Sequence, residues 1–350
     1  MRMLSVIFLI SFVYSLAFGQ EYKDITKDYT LKFPEDFYYK KDYRVQWWYF
    51  TGHLIDEKGR EFGYELTFFV VGIQKKVYKS KFGLRNIYIS HFALADLPEN
   101  SFYFSDKSDS GAFEFAGAQV DHLDVWIGKN RVKGTMENMR LIASDGDKAI
   151  DLTLIPTKPP VLHGGNGYSR KSEESPFIAS LYFSYTNLKT EGSLKIGSKI
   201  FKVKGKSWFD REISSRGLGQ KQAGWDWFSI QLNDNREIML YLLRNKDGSI
   251  DINSSGTFVS NDGNYHHLSK EDFSVTVLTY YRSQKTDARY PSQWEIKIPS
   301  ENIQLTLVPL IKDQELVTTY STLNYYWEGT CAVEGTARGR AYVEMTGYTK

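Results

Sequence analysis

One aromatic β-hairpin is written twice along this chain. Gln46-Trp47-Trp48-Tyr49-Phe50-Thr51-Gly52-His53-Leu54 leads through a turn into Arg60-Glu61-Phe62-Gly63-Tyr64-Glu65-Leu66. Gly224-Trp225-Asp226-Trp227-Phe228-Ser229-Ile230-Gln231-Leu232 leads through a shorter turn into Arg236-Glu237-Ile238-Met239-Leu240-Tyr241-Leu242. Two further landmarks return in the same order: Leu152–Pro156 as Leu305–Pro309, and Gly205–Asp210 as Gly339–Glu344. The unit is far too long for a solenoid repeat. It predicts two domains of one architecture, and 350 residues are enough for both.

The strand signals around these landmarks are short and alternating, and Asp145-Gly146, Asp247-Gly248 and Asp262-Gly263 punctuate them as turns. Aromatic residues make up 15% of the chain, the composition of pleated, half-buried surfaces. No long amphipathic helix pattern is present. The chain therefore reads as all-β, with antiparallel strands closing into two barrels that leave few exposed edges. The polar stretch 214–224 marks the boundary, giving domains 20–213 and 214–350. A long Pro/Gly-containing loop, Thr157–Pro176, carries His163 and Tyr168 and reads as the rim or lid of a pocket.

Residues 1–19 read as a cleaved secretory signal: Arg2, the apolar run Leu4–Leu16, and small residues at Ala17 and Gly19 before Gln20. The expected location is the periplasm or the extracellular space. No cysteine follows the apolar run, so the protein is not expected to be a lipoprotein. The single cysteine, Cys331, lies in a strand pattern and reads as a small buried hydrophobe. The net charge of +2 excludes the concentrated basic surface of a nucleic-acid binder. The one basic stretch, Lys75-Lys76 with Lys79 and Lys81, reads as a solvated edge.

Trp208-Phe209-Asp210-Arg211-Glu212 is the strongest chemical constellation. On a strand, Trp208, Asp210 and Glu212 share one face, and Phe209 and Arg211 the other. An aromatic ring beside a carboxyl group in an apolar barrel would raise its pKa and make it a proton donor near neutral pH. The alternative is an ion pair of Arg211 with a neighbouring carboxylate. Trp225 and Trp227 also share a face, matched by Trp47 and Tyr49 in the first copy; such pairs either line an apolar cavity or plug a barrel floor. The six histidines, including His91 and His163, show no metal-ligand spacing, and no nucleophile elbow, P-loop or dinucleotide fingerprint is present. No metal and no cofactor are expected.

The chain resembles the AttH/CrtC superfamily of exported lipocalin-like proteins, which includes hydroxyneurosporene synthase, a carotenoid hydratase. The residues that carry the resemblance are Trp47–Gly52, Ser90–Leu94, Lys158–Gly164, Gly167–Ser169, Trp208–Glu212, Gly224–Phe228, Tyr326–Gly329 and Tyr342–Tyr348. It implies two tandem lipocalin/calycin-like antiparallel β-barrel domains. In the hydratases an aromatic-x-Asp pair is implicated in protonating an isolated alkene, and Trp208-Phe209-Asp210 matches it with Trp in place of Tyr. Their His-x-Trp pair is replaced here by Tyr182-Phe183-Ser184, and Gln46 stands where relatives commonly carry Glu.

Three functions follow as expectations. The first is binding of an apolar small molecule, a lipid or terpenoid, by Trp47, Tyr49, His91, His163, Tyr168, Tyr182, Trp225 and Trp227. The second is a hydratase, hydrolase or cyclase with Asp210 as general acid, Glu212 or Arg211 as its electrostatic partner, and Trp208 in the aromatic wall. The third, implied by the resemblance, is an accessory subunit of an AttEFGH-like ABC transporter, with membrane components as partners.

Overall fold

The computed structural model describes residues 22–75 and 84–349. The signal segment 1–19 and Lys76, Lys79 and Lys81 of the basic stretch lie outside the described residues.

Two antiparallel sheets account for nearly all the regular structure. The first runs, neighbour to neighbour, through Ser101–Asp109, Asn86–Asp96, Glu61–Gly72, Val45–Asp56, Lys199–Ser214, Ala179–Ile196, Lys148–Pro156, Met139–Asp145, Asn130–Gly134, Leu123–Ile127 and Ala116–Ala118. It curls into a nearly closed barrel. The second forms a half-barrel from Tyr265–Leu268, Ser255–Val259, Glu237–Asn245, Gln222–Leu232, Gly339–Met345, Tyr326–Gly335, Ile303–Pro309, Arg289–Ile298 and Ser274–Arg282. The Thr157–Pro176 loop is tied down by two short strands, Val161–Leu162 and Tyr168–Arg170, both paired with Ala179–Ile196.

The sequence repeat is a structural repeat. The Trp47 hairpin lies beside Lys199–Ser214, which lies beside Ala179–Ile196 and then Lys148–Pro156. The Trp225 hairpin lies beside Gly339–Met345, then Tyr326–Gly335, then Ile303–Pro309. Each repeated landmark thus occupies the same place in its sheet, and Asp210 and Glu344 are equivalent positions.

Strand alternation decides which side chains enter each barrel. Trp48, Phe50, Leu66, Phe92 and Phe209 fill the first. Phe228, Ile230, Leu240, Trp294 and Val343 fill the second, together with the buried thiol of Cys331. Both interiors are occupied by large side chains. Trp208, Asp210 and Trp227 point out of them, which corrects the expectation that the acid and its aromatic wall lie inside a barrel. A separate apolar cluster holds Tyr49, Tyr182, Trp208, Trp227, Met239, Tyr241, Leu243 and Tyr342, from both sheets.

The outer faces of the two sheets therefore pack on each other. A Cβ at Gly63 would meet Thr330 Cγ2 at 3.1 Å, so the absent side chain permits the close approach. The contact is unusually polar. Thr330 Oγ1 lies 2.9 Å from His53 Nδ1, and Gln231 Nε2 donates to the carbonyls of Thr186 and Ser207 at 2.7 and 3.0 Å. Lys158 Nζ reaches across to Glu237 Oε2 at 2.7 Å and to the Ser260 carbonyl at 2.8 Å, with both charged side chains buried. Removing one member of a buried pair strands the other charge. Lys158→Met is expected to cost about 3–5 kcal/mol, and a urea titration should show the loss; a change below about 1 kcal/mol would mean that this pair does not clamp the domains.

Candidate functional site

The interface holds two acid centres. The first is built on Asp210, whose side chain is almost wholly buried. Its register neighbours are Tyr49 on one side and Ser184 on the other. Trp208 Nε1 donates to Asp210 Oδ1 at 2.6 Å, Ser184 Oγ donates to the same oxygen, and Tyr182 OH donates to Oδ2 at 2.9 Å. Trp227 Nε1, from the other domain, donates to Tyr182 OH at 3.0 Å. Burial disfavours the carboxylate and the three donors favour it. Burial wins, and the Asp210 pKa is pushed up to about 7.

Behind Ser184 stands His163, also buried. Its Nε2 lies 2.6 Å from Ser184 Oγ and its Nδ1 2.8 Å from Thr257 Oγ1. The Ser184 proton is directed to Asp210, so Ser184 accepts from Nε2–H and Thr257 donates to Nδ1. Burial holds the imidazole well below its ordinary pKa, which fits this neutral tautomer. The result is a chain of donors from Thr257 through His163 and Ser184 to the acid. The His163 ring also lies on Tyr182, with centroids 4.1 Å apart.

The second centre is built on Glu344, at Asp210's place in the other domain. Glu328 is its direct register partner, on the same outward face, and Glu65 joins from the first sheet. Glu65 and Glu328 are buried and Glu344 is half-buried. Burial is the main cause that pushes Glu65 and Glu344 up to about 8; the charge of Glu344 adds to the shift at Glu65, and the charges of Asp210 and Glu212 add to the shift at Glu344. Burial followed by the charges of Glu65 and Glu344 drives Glu328 well above the carboxylate range. Tyr49 OH donates to Glu328 Oε1, and Thr67 Oγ1 to Glu65 Oε1. Among the described residues no partner reaches Glu65 Oε2, Glu328 Oε2 or the Tyr342 hydroxyl.

These raised values make stability depend on pH. Asp210, Glu65 and Glu344 bind protons in the folded state where the unfolded chain, with values of 3.8 and 4.5, has released them. Their contribution is complete below the unfolded values and is lost as pH rises through about 7 to 8. The melting temperature is expected to fall between pH 5 and pH 8.5, and Glu328→Gln to flatten that fall. A melting temperature that rises across this window in the wild type and in the variant alike would contradict the assignment.

The remaining sequence candidates divide. Glu212 lies on the Asp210 face and pairs with Lys171 Nζ at 3.3 Å; that ammonium lies 4.3 Å from the Tyr241 ring centroid. Tyr49 and Trp227 meet edge to face at 5.2 Å, and Trp208 and Trp227 at 6.1 Å. Trp225 is hydrogen-bonded to Glu344, and Trp47 packs at the margin of the same cluster. His91 lies near the second centre, with Nδ1 2.6 Å from Tyr326 OH, and burial lowers it to about 3. Tyr168 lies elsewhere, in an apolar cluster with Ile25, Leu181 and Ile213.

Arg211 points the opposite way from Asp210, so it is not brought into the acid geometry as its electrostatic partner. It donates to the carbonyls of Tyr38 at 2.7 Å and Glu212 at 3.0 Å and to Gln46 Oε1 at 2.8 Å, with its guanidinium 3.9 Å from the Trp48 ring centroid. The position carrying Gln instead of Glu is thus this arginine's partner. Burial lowers Arg211 to about 9, against the opposing effect of the Asp36 carboxylate.

Sequence reasoning did not single out Glu65, Glu328, Glu344, Ser184, Thr257 or Tyr342 as site residues. The signal was present for one pair: the repeat that aligns Gly205–Asp210 with Gly339–Glu344 sets Tyr342 and Glu344 against Trp208 and Asp210.

A family model described as AttH-like matches residues 24–348. The chain belongs to the AttH-like family. Its fold matches the crystal structure of an AttH protein of Nitrosomonas europaea with a TM-score of 0.86 at 29% identity, covering 94% of this chain and all of that one. It also matches kievitone hydratase from Nectria haematococca with a TM-score of 0.71 at 17% identity, covering 95% and 97%, a likeness of fold. Two curated relatives align in part. A dehydratase of Emericella nidulans is 22% identical over 62% of this chain and 62% of its own length. A ceramide-binding protein of Debaryomyces hansenii is 20% identical over 41% of this chain and 37% of its own. This AttH-like chain therefore spans less than two thirds of either curated relative.

Proposed function

We infer that the protein binds an apolar small molecule between its two domains and carries out hydration or dehydration there, with Asp210 as the acid. The observation that carries this reading is a carboxyl group balanced near neutral pH, buried against aromatic side chains from both sheets. An acid of that strength can donate a proton to an electron-rich double bond and still be reprotonated at physiological pH. As the proton forms a bond to one alkene carbon, the neighbouring carbon becomes electron-deficient. The faces of Trp208, Trp227 and Tyr49 stabilise that positive charge. Water then bonds to this carbon and releases a proton that restores Asp210; the reverse sequence is dehydration. Tyr182, Ser184 and the His163–Thr257 chain hold the carboxyl group and stabilise its anion between the two transfers.

The names of the relatives, a dehydratase, a hydratase and a ceramide-binding protein, support an apolar ligand and this reaction type. None of them speaks for a transporter subunit. The signal segment supports export, and protein recovered outside the cytoplasm should begin at Gln20.

Mass spectrometry of an organic extract of the purified protein tests the reading. A stoichiometric lipid or terpenoid that carries an alkene or a tertiary alcohol is expected. A protein that purifies without ligand, and takes up no alkene lipid when offered one, would overturn it.

A further inference from the structure

The two acid centres occupy equivalent places in a duplicated fold, yet they are partnered differently. In the first domain, Asp210 faces Ser184, and three donors from the protein satisfy both of its oxygens. In the second, Glu344 faces another carboxyl group, Glu328, and Glu65 is added from across the interface. Each of Glu65 and Glu328 has one oxygen satisfied and the other without a partner. The Tyr342 hydroxyl, on the strand that carries Glu344, is also unpartnered and only 2% exposed. Buried polar atoms are nearly always hydrogen-bonded, so three such atoms in one place call for a guest.

The chemistry of the guest follows from the hosts. Three clustered carboxyl groups, two of them buried, repel an anion, and they compensate a group that brings several N–H donors and a positive charge. No three His, Cys, Asp or Glu side chains among the described residues converge closely enough to hold a metal ion. The apolar remainder of such a guest would meet Tyr49 and Trp227, whose rings border both centres.

We propose that Glu65, Glu328, Glu344 and Tyr342 form a subsite for the primary ammonium group of an otherwise apolar ligand. The proposal rests on the interdomain site described above and names the polar end of what that site accepts. Binding expels protons from the carboxyl groups, so affinity rises with pH as long as the amine remains charged, up to roughly pH 10.

The test is calorimetric titration of the mature protein with dodecylamine, dodecanol and dodecanoate, each below its micelle concentration. Dodecylamine is expected to bind at least about tenfold more tightly than dodecanoate, a difference of roughly one charge-assisted hydrogen bond, with release of protons to the buffer. Glu65→Gln and Glu328→Gln should each remove most of that preference while melting no lower than wild type. Tyr342→Phe should weaken amine binding without reversing the preference. Asp210→Asn should keep it, so loss of turnover and loss of the amine preference report separately on the reaction and on this subsite. Equal or tighter binding of dodecanoate, or an amine preference that survives both glutamine substitutions, would overturn the proposal.

Discussion

Replacing Asp210 with asparagine is expected to lower the rate of hydration or dehydration by about 10²–10⁴-fold, the usual contribution of a positioned general acid, while leaving the fold intact. Asparagine has nearly the same shape. Its carbonyl oxygen can still accept from Trp208 Nε1 and Ser184 Oγ, and its amide can face the Tyr182 oxygen, which already accepts from Trp227. The transferable proton is lost, together with the bond that Asp210 Oδ2 accepts from Tyr182 OH. Burial sets the Asp210 pKa at about 7, so the wild-type rate in the hydration direction should fall as pH rises through that value. The pH profile of kcat/KM for the extracted ligand, read beside the melting curve, checks both points. An Asp210→Asn protein that melts like wild type and turns over at the wild-type rate would remove the acid from the mechanism.

Arg211→Ala is expected to give one of the largest losses of stability of any single substitution, about 3–5 kcal/mol. The guanidinium serves the carbonyls of Tyr38 and Trp47, both far from it in sequence, and of its chain neighbour Glu212. Its loss removes a donor from those carbonyls and from Gln46 Oε1, and opens a cavity beside Trp48. Arg211→Lys should recover only part of the loss, because an ammonium cannot reproduce the planar fork over the indole. Equilibrium unfolding in urea measures it. A loss below about 1 kcal/mol would show that the arginine is dispensable, and a wild-type rate per folded molecule would separate it from the chemistry.

The repeat made the architecture readable, because each landmark carries both a strand and its neighbours. The alternation in Trp208-Phe209-Asp210-Arg211-Glu212 also gave correctly which side chains share a face. It could not say which face lies in the barrel. Every residue from Ser207 to Ser214 is buried, because one face fills the barrel and the other is covered by the second domain, so the usual contrast of apolar inside and polar outside vanishes. That is why Arg211 could be read as a partner of Asp210 and Trp227 as a barrel plug. The second acid centre was hidden for a different reason. Glu65 and Glu328 are 263 positions apart and meet only because two sheets pack face to face. Nothing local to either residue marks it as buried.

As the acid, Asp210 must deliver its proton to a carbon atom of a ligand held between the domains. Incubating the extracted ligand with wild-type and Asp210→Asn protein in heavy water, and locating the deuterium by mass spectrometry and NMR, tests it most directly. One deuterium is expected on the carbon next to the new carbon–oxygen bond with wild-type protein, and essentially none with the variant. Oxygen addition without a new carbon–deuterium bond, or equal labelling by both proteins, would contradict it.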